Sequence, residues 1–268
     1  MIRVFPRRTK WTPDDELAFV GGPSLFRPPE MPVKISVTFE WDLSEAERLY
    51  RAWKTYYEDV DIGGPAIGEK EGDFIPGRFL KKGAVITSRG CRNQCWFCKV
   101  WKRNGDLIEL PIMEGYNLMD DNILQTSNKH FDAVCEMLRK QKRKPIFSGG
   151  LEAKILTKER AEKLILLKPY LYFAYDTEDD YEPLVGAIKL LRSLNPSTGH
   201  WISCYCLIGY EGDTQIKAEK RLVNIKNLGV VPMALLYRDE RGKHSDRSWL
   251  GFQRRWARPT LIYKSKIE

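Results

Sequence analysis

Strand-like and helix-like hydrophobic patterns alternate from residue 83 to residue 237, and this alternation constrains the fold more than any other feature of the chain. Apolar runs predict strands at 83–88, 116–120, 145–148, 170–176, 201–209 and 230–237. Helical spacing predicts helices at 127–141, 157–167, 180–194 and 214–228, and Thr157 and the pair Asp213–Thr214 stand where N-caps belong. Strand, helix, strand is the pattern of a parallel sheet, because parallel neighbours need a crossover rather than a tight turn. Six strands suit an α/β fold of the partial (β/α)6 TIM-like barrel kind better than a closed eightfold barrel. Such sheets hold ligands at the carboxyl ends of their strands.

A small β-α-β unit precedes this region. Val33, Ile35, Val37 and Phe39 alternate with polar residues as in a half-buried strand. Ser44 and Glu47 have the spacing of a capping box, and Ala46, Leu49, Tyr50, Trp53 and Tyr57 follow at helical spacing. Val60-Asp61-Ile62 before Gly63-Gly64-Pro65 reads as a strand ending in a turn. The first thirty residues, with prolines at 6, 13, 23, 28 and 29, are expected to be irregular. The polar stretch at 67–82 reads as a linker. It separates a small N-terminal α/β region, 1–82, from a core with a C-terminal extension, 83–268. The aromatic and basic segment 249–259 is expected to cover the mouth of the barrel or to pack on its wall.

Three of the six cysteines fall within eight positions, as Cys91, Cys95 and Cys98 in a C-x3-C-x2-C pattern directly after the strand Gly-Ala-Val-Ile-Thr-Ser. Crowding of this kind in an intracellular chain points to metal or redox chemistry rather than to disulfides. Thiolates are the usual ligands of iron–sulfur clusters, and a short loop can wrap three corners of a cubane. Three ligands on four irons leave one iron open to a small molecule, whereas four protein ligands close the site. A zinc site calls for a fourth Cys or His nearby, and the next along the chain are His130 and Cys135. On the residues alone, a non-catalytic iron–sulfur or zinc-binding module stays open.

With C-x3-C-x-aromatic-C following the first strand of a six-stranded partial barrel, residues 83 to about 240 resemble the radical S-adenosylmethionine (SAM) superfamily. The resemblance implies a 4Fe-4S cluster on Cys91, Cys95 and Cys98 whose open iron chelates SAM. It further implies one-electron cleavage of SAM, hydrogen abstraction from a substrate, and an electron donor such as flavodoxin or ferredoxin. Phe97 matches the position beside the adenine. Asp120, Asp121 and Asn122 end the second strand, where polar groups face the amino group of SAM, and Asp176 and Thr177 match an acidic-plus-hydroxyl pair near its ribose or carboxylate. The same residues suit turns and helix N-caps. Ile208 and Gly209 match the segment that packs on the adenine. The stretch from Lys99 to Ile112 departs from the pattern, since it makes a poor crossover helix; a shortened helix or an extended segment is expected there. The N-terminal unit resembles the later half of a cobalamin-binding domain, which leaves a cobalamin-dependent methyltransferase as an alternative. The D-x-H-x-x-G motif of such domains is absent, and His130, His200 and His244 sit in no such context, so a reduced relic or substrate-side lid is expected.

The remaining features are less specific. Lys and Arg number 44 against 36 Asp and Glu, a net charge of +8. With Lys99, Lys102 and Arg103 beside Trp96 and Trp101, that charge makes a nucleotide or nucleic acid the leading substrate class. The same cations would also offset the charge of a cluster. The run Arg139–Lys144 fits a phosphate site or a solvated helix end, and Cys135, Cys204 and Cys206 fit small core residues. No apolar run approaches the ~20 residues of a bilayer span, and the first residues lack the apolar core of a signal peptide. A soluble, cytoplasmic enzyme with no membrane partner is therefore expected.

Overall fold

Short apolar runs build a sheet at the very start of the chain. Strands β1 (Ile2–Phe5), β2 (Ala18–Val20), β3 (Val33–Ser36) and β4 (Val60–Gly63) pair in parallel in the order β2-β1-β3-β4. Ile2, Val4, Val33 and Ile35 are buried beneath helix α1 (Leu43–Lys54), which presents Ala46, Leu49 and Trp53 to them. The Trp53 indole N–H donates to the Gly21 carbonyl at 3.1 Å, and the Phe19 ring meets it edge-on at 5.3 Å.

Two expectations are corrected in this unit. The first thirty residues are not irregular, because they carry β1 and β2; three- and four-residue strands are too short for alternation to announce them. Nor does Ser44 cap α1. The helix is entered through a 3-10 turn at Glu40–Asp42, no side chain caps it, and the buried Asp42 carboxylate is held by Arg7, with Nε at 2.7 Å.

The computed structural model describes residues 1–67, 75, 77–239, 241–243 and 246–257, with backbone alone at 198–200. Half of the expected linker lies outside the described residues, as do His244 and the last two residues of the 249–259 segment. The chain forms two compact units, Met1–Ala84 with Glu240–Gly242 and Val85–Asp239 with Lys243–Glu268.

The alternation after residue 83 becomes a six-stranded parallel sheet, with α/β architecture. Its elements begin with β5 (Ala84–Val85), followed by a two-stranded antiparallel ribbon of β6 (Ser88–Arg89) and β7 (Ile108–Glu109) around the short helix α2 (Val100–Asn104). Then come β8 (Asn117–Leu118), α3 (Asn128–Arg139), β9 (Ile146–Leu151), α4 (Lys158–Leu167), β10 (Tyr170–Ala174) and α5 (Tyr181–Leu194). β11 (Ile202–Ile208), α6 (Gln215–Asn227), β12 (Val231–Leu236) and α7 (Ser248–Trp256) complete the unit. The sheet order is β12-β11-β10-β9-β8-β5, so every strand lies beside its predecessor.

The caps read from Thr157 and Thr214 are present: their hydroxyls accept from Arg160 N at 3.3 Å and Lys217 N at 3.2 Å. Alternation along β11 buries Ile202, Cys204, Cys206 and Ile208 against Leu184, Ile188, Ala218 and Leu222 of the helices. Cys135 lies in the same core, and burial pushes its thiol and that of Cys206 up to about 12. These three cysteines pack as small apolar groups. Trp249, Phe252 and Trp256 of α7 are also buried in this core, and Gln253 Nε2 donates to the Ala234 carbonyl at 3.1 Å, which fixes α7 against β12.

Candidate metal centre

The loop that carries Cys91, Cys95 and Cys98 leaves the sheet because one carboxylate diverts it. Asp120, at the carboxyl end of β8 and 1% exposed, accepts from Thr87 N at 2.6 Å, Thr87 Oγ1 at 2.6 Å and Ser88 Oγ at 2.8 Å. The Thr87 amide thus bonds to a side chain rather than to a neighbouring strand of the sheet, and its carbonyl accepts from Leu110 N at 2.8 Å beside the ribbon. The strand expected at 83–88 is reduced to β5, with Ser88 given to the β6–β7 ribbon. Burial pushes the Asp120 carboxyl above its ordinary range, against the opposing effect of its Thr87 and Ser88 donors. Asp121 makes the next anchor. It accepts from Gly90 N at 2.9 Å, Asn104 Nδ2 at 3.0 Å and Arg89 at 3.3 Å, tying both ends of the loop to the end of β8. Gly90 has φ +87°, and a methyl group there would run into the Asp106 carbonyl, so this turn requires glycine.

Within the loop, Cys91 N donates to Gly105 O at 3.2 Å, Cys98 N to Cys95 O at 3.1 Å, and the Trp101 indole to Cys95 O at 3.0 Å. All three thiols are free and partly exposed. The Cys91 sulfur receives N–H groups from Asn93 (backbone, 3.4 Å), Gln125 (3.6 Å) and Asn122 (3.7 Å). Burial pushes the Cys95 and Cys98 thiols up; Cys98 and Cys91 raise Cys95 further, and Cys91 raises Cys98, so the three are electrostatic neighbours. A metal that binds there must displace protons. Among the described residues, no three Cys, His, Asp or Glu side chains converge on a single point that could hold one ion.

Polar groups from the next two strands face the loop. Glu152, just beyond β9, accepts from Asn122 Nδ2 at 2.7 Å and Gln125 Nε2 at 3.0 Å. Arg160 on α4 holds that segment by donating to the carbonyls of Leu124 and Thr126, the latter at 2.6 Å. Beyond β10, Asp176 accepts from Leu207 N at 2.7 Å. Burial pushes its carboxyl up to about 6; the Leu207 N–H opposes the shift, Asp180 adds to it and Arg221 opposes it. Asp176 and Asp180 both act electrostatically on Cys95, which places the end of β10 near the loop. Asp180 accepts from Thr177 N at 2.9 Å, Thr177 Oγ1 at 3.0 Å and Asp176 N at 3.1 Å.

The loop also reaches the far strands. Trp96 is 54% exposed and meets Phe97 at 5.3 Å, Tyr210 beyond β11 at 5.2 Å and Tyr237 beyond β12 at 6.0 Å. An aromatic wall therefore flanks the cysteines.

The residues expected to surround SAM occupy three different settings. Phe97, Asp121 and Asp176 lie around the loop. Asp120 and Thr177 are engaged with Thr87, Ser88 and Asp180, as a loop anchor and a turn-capping group. Ile208 is fully buried on the helix-covered face, and the space beside Gly209 (φ +73°) is filled by Leu236 and Trp249. Sequence reading missed Glu152, Asp180, Gln125, Tyr210 and Tyr237, each an isolated side chain just past a strand or in a turn. The chain matches no protein-family model, and no curated protein is similar to it.

Proposed function

We propose that this chain is a radical SAM enzyme on a partial (β/α)6 barrel, with Cys91, Cys95 and Cys98 as ligands of a 4Fe-4S cluster. The observation that carries the reading is the free thiol triad on one loop at the carboxyl edge of a sequentially ordered parallel sheet, ringed by polar side chains from β8, β9 and β10. Sequential strands joined by right-handed crossovers place every helix on one face. The opposite face, bearing Tyr172, Ser203, Tyr205 and Met233, is then the barrel interior. The donor set fits the cluster. Thiolates on different irons need not meet at one point, and N–H groups aimed at Cys91 Sγ are of the kind that tune cluster sulfurs.

When bound, the cluster supplies the electron for homolytic cleavage of SAM and hence the radical that takes hydrogen from substrate. The chain's own residues do the rest. Asp120 and Asp121 hold the loop, while Asp176 and Glu152 offer negative charge to an ammonium group. Trp96, Phe97, Tyr210 and Tyr237 shield the site from water and present an aromatic face. Lys102 and Arg103 on α2 add positive charge beside that face, which favours a nucleotide or nucleic-acid substrate. The six unpaired cysteines favour a reducing, cytoplasmic setting with a flavodoxin- or ferredoxin-type donor. No helix among the described residues is long and apolar enough to cross a membrane.

The test is anaerobic reconstitution with iron and sulfide, followed by dithionite and SAM, with 5′-deoxyadenosine read by mass spectrometry. The nucleoside is expected from the native chain and absent from Cys95→Ala. Equal amounts from both would refute the assignment.

A further inference from the structure

The amino end of the six-stranded sheet carries a second concentration of aromatic and basic groups. Tyr116 and Trp201 sit immediately before β8 and β11, and Tyr170 is the first residue of β10. The register sets Tyr170 level with Trp201, since Leu171 pairs with Ile202, and Tyr116 one residue further back, since Asn117 and Tyr170 both pair with Ile146. With strands about 4.8 Å apart, the four starts from β8 to β11 span about 14 Å. Two cations just ahead of β9 are laid over these rings. The Arg143 guanidinium lies 5.1 Å from the centre of the Tyr116 ring and donates to its hydroxyl at 3.0 Å. Lys144 Nζ lies 3.8 Å from the Tyr170 ring and 4.6 Å from that of Trp201. The result is a row of ring, cation, cation, ring, ring along one edge.

This row is an open surface. Arg143 and the adjacent Lys142 are exposed, and Tyr170 is 41% exposed. The acid partner in this stretch, Glu136, is turned to Arg139 and Lys140. Among the described residues, no carboxylate pairs with Lys142, Arg143 or Lys144. A cation over a ring keeps its charge for an incoming anion, and a half-open ring such as Tyr170, covered by Lys144 on one face, keeps its other face for an incoming base. Folding alone asks for neither a run of like charges nor an exposed ring beside them.

We propose that this amino-edge row is a binding surface for single-stranded nucleic acid, with Lys142, Arg143 and Lys144 on the phosphates and Tyr170 and Trp201 as stacking faces. It lies at the opposite end of the strands from the cysteine loop and holds independently of the chemistry assigned there. The cations supply salt-dependent affinity, and the rings select an unpaired strand over a duplex or a plain polyanion.

Fluorescence anisotropy with a labelled single-stranded 15-mer, as RNA and as DNA, tests this on the full chain, with duplex and inorganic polyphosphate as competitors. Affinity is expected to fall steeply with salt. Arg143→Gln with Lys144→Gln is expected to weaken it at least tenfold and to flatten the salt dependence, and Arg143→Lys should retain most of it. Tyr170→Leu is expected to weaken strand binding about fivefold or more, with polyphosphate binding unchanged. Equal competition by polyphosphate, with no effect of Tyr170→Leu, would reduce the row to a nonspecific anion surface and overturn the proposal. Should a variant fail to fold, photocrosslinking of a thiouridine-containing strand to the native chain decides the matter. Crosslinks at Tyr170, Trp201 or Tyr116 support the proposal, and their confinement to other regions contradicts it.

Discussion

At the carboxyl end of the six-stranded sheet, Asp120, Asp121, Glu152, Asp176 and Asp180 surround a loop of three thiols; at its amino end, Arg143 and Lys144 lie over Tyr116, Tyr170 and Trp201. The contrast goes beyond sign. Asp120 is buried and Asp121 half-buried, and both are bonded to backbone and side-chain donors, so they form part of the structure that shapes the loop. The amino-end cations stand partly in solvent and contact the rings beside them. Charge at one edge is built into the fold, and charge at the other is displayed on it. Substitutions at the two edges should therefore differ in what they damage.

The largest effect is expected for Asp120→Ala. It leaves the Thr87 amide and the Thr87 and Ser88 hydroxyls without a buried acceptor and should cost about 3–4 kcal/mol in urea denaturation. A loss of only a few tenths would show that the loop does not depend on this carboxylate. Next comes Gly149→Ala on β9, where the added methyl runs into the Asp120 carbonyl; about 2–3 kcal/mol is expected, read the same way.

Asp176→Asn should act in the opposite direction. A carboxyl whose pKa rises from 3.8 to about 6 on folding is disfavoured when ionised, so its penalty grows as pH climbs through that interval and is complete above it. The neutral variant should be more stable at pH 7.5 by about 1–2 kcal/mol, with the gain fading between pH 6 and pH 4. Thermal melts that show the same gain at both ends would break the account. Smallest of all, Lys144→Gln should change stability by less than about 1 kcal/mol, since it removes half-buried cation–ring contacts alone. A loss above about 2 kcal/mol would make the amino-end charges as structural as those at the other edge.

The same contrast explains what could be read from the chain. Strands β9 to β12 and helices α3 to α6 were legible because burial on a sheet face or helix stripe leaves a period in the sequence. The cysteine triad was legible because its three thiols are close together along the chain. β1 and β2 were hidden by their length; α1 was legible from its apolar stripe, and only its start was misread, because its entry turn needs no side-chain cap. Glu152, Gln125 and Asp180 left no pattern, since each meets its partners only after crossovers bring separate strand ends together. The dual identity of Asp120 was also unreadable: a carboxylate at a strand end looks the same whether it faces a ligand or pins Thr87. The row of Tyr116, Tyr170 and Trp201 exists only through strand register, which no local signal reveals.

The central claim is that Cys91, Cys95 and Cys98 hold a cluster with one iron open to SAM. Its most direct test is electron paramagnetic resonance of the anaerobically reconstituted, dithionite-reduced chain with and without SAM, beside the triple variant Cys91→Ala, Cys95→Ala, Cys98→Ala. A cluster signal that shifts on adding SAM and is absent from the triple variant is the predicted result. A signal indifferent to SAM, or one retained without the three cysteines, would contradict it.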